Sequence, residues 1–167
     1  LYNMADTIIV GKFLGVKALA AVGSTGSINF MIIGFCLGVC SGFAIPVAQK
    51  FGEKNMKALR RFVANSGWLA AIFAVVMTFA VCIFCRDILV LMQTPEDIMD
   101  MSRTYIVIIC WGLGCTALYN LIASILRAIG NSRVPLYFLI LSAFLNVAGD
   151  IVLIVYFRMG VAGAALA

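Results

Sequence analysis

The chain has no histidine in 167 residues, and only 11% of its residues are charged. A soluble domain carries about a quarter. So little charge excludes an ordinary water-soluble globular protein. The missing histidine removes the commonest acid–base side chain and the commonest metal ligand. No basic leader, apolar core and small-residue cleavage site stand at the start, so no signal peptide is visible. Cysteine is present at six positions, and Cys82 and Cys85 form a C-x-x-C pair. With no second pair and no histidine beside it, this spacing reads as packing in apolar segments rather than a redox or metal site.

What the chain has in quantity is apolar sequence, 64% of it. Runs long enough to cross a bilayer recur, each needing about 20 residues. They are long and unbroken rather than short and alternating, so the class is all-α, a polytopic transmembrane helix bundle, and not a membrane barrel. The expected segments are a partial helix 1 at 1–12, helix 2 at about 19–50, helix 3 at about 56–85, helix 4 at about 103–128, helix 5 at about 134–157 and the start of helix 6 from about 160. Gly52 reads as a cap after helix 2, Asn55 as the N-cap of helix 3, and Pro135 as a first-turn proline of helix 5. The 86–103 segment, with Pro95 and four acids, reads as a loop holding at most a short interfacial helix. The first run is too short to span and the last has no flank, so the chain is expected to be an internal piece of a larger protein.

Charge sets orientation. The 50–61 loop has five basic residues and one acid, and the loop at 127–134 has Arg127 and Arg133 and no acid. The intervening 86–103 loop has two arginines and four acids. Basic excess marks the cytoplasmic side, so 50–61 and 127–134 are expected to be cytoplasmic and 86–103 extracytoplasmic in a cell membrane. Lys12 and Lys17 run against this rule and are outweighed. The basic loop reads as a solvated, lipid-facing segment, and nothing indicates nucleic-acid binding. Gly34, Gly38 and Gly42 make a small-residue stripe on helix 2, read as helix packing.

Two acids stand inside apolar runs, Asp6 and Asp150. An intramembrane charge costs about 2.5–3.5 kcal/mol on insertion scales, so such residues face a bundle interior or a wet cavity and mark function. With helices 1 and 5 ending on the same side near Lys12 and Arg158, Asp6 is expected about 9 Å and Asp150 about 12 Å below that end. On helix 5, Ser142, Asn146, Gly149 and Asp150 share one face. Apolar surroundings and a like-charged neighbour both disfavour ionisation, so the pair can hold a proton, while the Asp and Asn oxygens also suit a hard monovalent cation. Thr116, Asn120 and Arg127 make a polar row on helix 4, available either to a shared cavity or to interhelical hydrogen bonds.

These segments resemble the multidrug and toxic compound extrusion (MATE) transporters. LYNMADTIIVGKFLGVKALAAVG is similar to their first helix and second-helix start, PVAQKFGEKN and LRAIGNSRVP to two of their cytoplasmic turns, and NVAGDIVLIVYFRMGVAGAALA to their helix 5 and the entry to helix 6. The resemblance implies most of the N-terminal six-helix bundle of a twelve-helix, two-bundle antiporter, with the C-terminal bundle outside this sequence. It implies export of organic cations and other amphipathic drugs in exchange for Na⁺ or H⁺, with no enzymatic site and no cofactor beyond the coupling ion. By position it places cation coupling on Asp6, Asn146 and Asp150, and Tyr2 and Asn120 near that site or the substrate cavity, to which the face of helix 5 adds Ser142. A lipid or lipid-linked oligosaccharide flippase of the same superfamily is the near alternative, for which more cavity cations are expected. An intramembrane aspartyl protease is the remote one, since VAGD supplies only half of its G-x-G-D pattern.

Overall fold

The structure, a computed structural model, describes the backbone of residues 2–167 and the side chains of residues 7–167. Six α-helices follow one another: α1 Tyr2–Phe13, α2 Val16–Gly52, α3 Met56–Leu91, α4 Glu96–Ala128, α5 Arg133–Asp150 and α6 Val161–Leu166. A π-helical segment, Ile151–Tyr156, continues α5 without a break. Four spans are long and apolar enough to cross a membrane: α2, α3, α4, and α5 with its π-helical extension.

The helices overrun the expected limits, because charge marks a membrane boundary and not a helix end. α3 runs through Arg86 and Asp87 to Leu91, six residues past the expected end at 85. The 86–103 loop shrinks to a short turn around Gln93 and Thr94. There Pro95 precedes the helix as its N-cap, and Glu96 and Asp97 fill the first turn of α4, where acids complement the positive helix end. At the other turn Gly52 is the last helical residue of α2 and Lys54 takes the left-handed conformation, φ 57°. The amide of Lys54 donates to the Phe51 carbonyl and that of Asn55 to the Lys50 carbonyl, closing the helix end. Asn55 then caps α3 by accepting from the Ala58 amide at 3.1 Å.

α2, α3 and α4 form the packed centre. Ile28, Ile32, Leu89, Ile106 and Leu113 make one cluster among them, and Cys36, Cys40, Ala70, Ala117 and Leu121 a second. All six cysteines are free thiols, four of them buried. A third cluster joins Val10 of α1, Ala18 of α2, Tyr105 of α4, Ile154 of the π-helix and Val161 of α6. The glycine stripe points elsewhere: a Cβ on Gly34, Gly38 or Gly42 would meet nothing within 4 Å, so among the described residues it packs no helix. Lys17 lies 3.7 Å from Asp97 at the start of α4, so one of the two lysines that break the charge rule is matched by an acid on its own side.

Candidate functional site

α5 sorts its residues as a lipid-exposed helix does. Its apolar side chains from Leu136 to Leu145 are exposed, while its buried residues are Pro135 and Asp150. Asp150 is 0% exposed. It ends α5 where the π-helix begins, and the Phe157 amide, donating to the Val152 carbonyl at 3.0 Å, shows the wider turn. Such π segments inside helices concentrate at functional sites. No feature of the sequence signals it; IVLIVY is an ordinary apolar run.

Asn146 lies one turn before Asp150 on the same face and is half-buried. Its side-chain oxygen is buried and has no hydrogen-bond partner among the described residues. A buried acceptor left without a donor costs about 1–3 kcal/mol, so a cation or proton donor is what the position lacks. Gly149 and α6 close one side. A Cβ on Gly149 would come within 3.1 Å of the Ala167 Cβ, and one on Gly163 within 3.2 Å of the Leu153 backbone carbonyl. α6 therefore lies directly on the helix that carries the acid. Gly149 lies on the helical face of Asn146 and Asp150, and Gly163 in the small-residue run GVAGAALA.

α1 packs along both α5 and the π-helix. Asp6 and Tyr2 are on α1, and their side chains lie outside the described residues. The remaining cavity candidates are not gathered at Asp150. Ser142 is exposed two turns away. Asn120 is nearly buried, but its amide donates to the Thr116 carbonyl at 2.9 Å within its own helix. Thr116 likewise donates to Gly112, and Arg127 is exposed and donates to Ser124. Next to Asn120, the Tyr119 hydroxyl donates to the Pro135 carbonyl at 3.4 Å, which sets the level of α4 against α5. From Pro135 to Asp150 is about 22 Å along α5 at 1.5 Å per residue. Among the described residues no three His, Cys, Asp or Glu side chains group to hold a metal.

The family pattern described as MatE matches residues 1–152. A probable multidrug resistance protein, YoeA of Bacillus subtilis, is 36% identical over 99% of this chain and 36% of its own length. A protein named FAD transporter from Shewanella oneidensis is 26% identical over 99% of the chain and 37% of its own. Among solved structures, a MATE protein in a bent conformation superposes with TM-score 0.92 at 26% identity, over 99% of this chain and 37% of that one. An inward-facing multidrug resistance MATE transporter of the MOP superfamily gives 0.91 at 26% identity, over 98% and 37%. The chain thus spans little more than a third of the length of these relatives.

Proposed function

The chain belongs to the MATE family of membrane transporters, and from that premise we propose that Asp150 and Asn146, with Asp6 on the neighbouring α1, bind the coupling cation of a drug exporter. The observation that carries this is the inversion of α5: a carboxylate fully buried on a helix whose long apolar side chains face outward, one turn from an amide oxygen with no donor among the described residues. A Na⁺ ion takes such oxygens as ligands, and a proton takes the carboxylate. Either one neutralises a charge that the bilayer otherwise penalises.

The exchange follows from linkage. The cation enters from the outer side and favours one arrangement of α1 against α5 and the π-helix; an organic cation favours the other. Each then displaces the other across an alternating-access cycle, because a ligand shifts the equilibrium only by its differential affinity for the two states. Orientation follows the charge rule, with 50–61 and 127–134 inside and the turn before Pro95 outside.

The test uses the full-length protein in liposomes loaded with a fluorescent organic cation, under an imposed Na⁺ or pH gradient. One gradient is expected to drive dye movement, and Asp150→Asn to lose that response. Unchanged transport by Asp150→Asn would remove the site assignment. A second reading, export of an anionic nucleotide, draws on the relative named FAD transporter. Gradient-driven movement of FAD with none of the dye would select it.

A further inference from the structure

A second feature of the bundle lies far from Asp150. On the outside of the packed centre, α3 and α4 leave a trough of about 420 Å³ between them. That is the size class of a small-ligand site. Its floor is made of small residues, Gly67, Ala71 and Ala74 of α3 and Gly114 of α4, and Trp111 and Phe79 form its walls. The hydroxyl in its lining, Thr78, donates to the Cys110 carbonyl at 2.9 Å, so the trough presents an apolar surface. From Gly67 to Cys82 it runs about 22 Å along α3 at 1.5 Å per residue.

The face that forms the trough continues toward the basic loop. Lys57, Arg60, Ala64, Gly67, Ala71 and Ala74 recur at three and four residues, one stripe of one helix. Lys57 and Arg60 are exposed. The ion pairs among the described residues are Lys17–Asp97 and Lys50–Glu53, so neither Lys57 nor Arg60 has an acid beside it. Lys57 also stands in the first turn of α3, whose positive helix end adds to the attraction for an anion. The stripe therefore reads as charge at the membrane edge followed by an apolar trough.

We propose that this stripe is a lipid site: the trough seats one acyl chain of an anionic phospholipid, and Lys57 and Arg60 hold its phosphate. Charge complementarity picks the occupant. A zwitterionic lipid has no net charge to satisfy two unpaired cations. The assignment does not depend on the transport reading.

Trp111 in the wall of the trough is the probe. The full-length protein carries Trp68→Phe, with any tryptophan outside this chain replaced as well, and sits in phosphatidylcholine nanodiscs. Phosphatidylglycerol or phosphatidylcholine brominated on its acyl chains is then titrated in, and Trp111 quenching is read. Phosphatidylglycerol is expected to reach half-maximal quenching at a mole fraction lower by about fivefold for each of the two cations. Lys57→Gln with Arg60→Gln brings its curve onto that of phosphatidylcholine. Ala71→Phe, which fills the trough, removes the preference too, with helical content unchanged by circular dichroism. Coincident curves in the parent protein mean ordinary boundary lipid and overturn the proposal. A preference that survives the double substitution, or survives Ala71→Phe, also overturns it.

Discussion

Asp150 and Asn146 are set apart from the other residues of α5 by what surrounds them. A helix in lipid gains nothing from turning Leu or Phe inward, because lipid tails are as apolar as they are. It gains a great deal from hiding a carboxylate. That is why Asp150 is buried on α5 while Leu141, Phe144 and Leu145 stay exposed. In the proposed cation site, replacing Asn146 by Leu removes one uncharged ligand and leaves the carboxylate. Its expected effect is a cation affinity weaker by about tenfold, in line with a hydrogen bond to a charged group, read as a shift in the Na⁺ or H⁺ concentration that gives half-maximal transport. The glycines separate by what they touch. Gly163→Val drives a side chain into the Leu153 carbonyl, 3.2 Å from where its Cβ would be. It should destabilise by about 1–3 kcal/mol, as overpacking does, and lower the thermal unfolding midpoint in detergent. Gly38→Ala, whose Cβ meets nothing within 4 Å, should not lower it.

Among the elements, the π-helix is the one with consequences. Between Asp150 and Phe157 the wider turn changes the register, so that Ile154 points into the cluster with Val10, Tyr105 and Val161. Deleting Ile151 lets the segment close as an α-helix and removes the wider turn that follows Asp150. The expected result is loss of the gradient response with helicity intact, measured by transport and circular dichroism on the same preparation. The α2–α4 junction behaves otherwise. Lys17 and Asp97 face each other with side chains 74% and 57% exposed. An exposed pair is worth about 0–1 kcal/mol, so Lys17→Gln should leave the unfolding midpoint nearly unchanged.

For the molecule as a whole, apolar side chains lie on both its inside and its outside. Trp68, Phe30, Phe79 and Trp111 are all exposed, which in water would be a fault and in a bilayer is the solvent-facing surface. The helices exceed the bilayer: α2, at 37 residues, is about 55 Å long against a core of about 30 Å. The turns therefore stand clear of the membrane and are open to labelling. In a cysteine-free background, Lys54→Cys is expected to resist an impermeant maleimide added outside intact cells, and Gln93→Cys to react with it. The reverse pattern would invert the orientation.

Much of this was legible in the residues alone. Apolar runs of bilayer length, basic loops alternating with an acidic one, and two acids in greasy surroundings need no coordinates to be read, because the bilayer imposes length, charge and polarity on sequence directly. The pairing of Asn146 with Asp150 follows from helical spacing. Helix ends were less legible: α3 passes through Arg86 and Asp87, and Pro95 opens α4 instead of breaking a loop, since outside the core charged residues continue a helix at no cost. Other features depended on the third dimension. IVLIVY carries no mark of a π-helix, the glycine stripe of α2 meets no partner helix among the described residues, and the Asn120 amide turns back to the Thr116 carbonyl of its own helix. Each of these is decided by which helices touch and at what level. Where the surroundings are as apolar as the side chains, hydrophobic pattern no longer says which face turns inward, and only packing does.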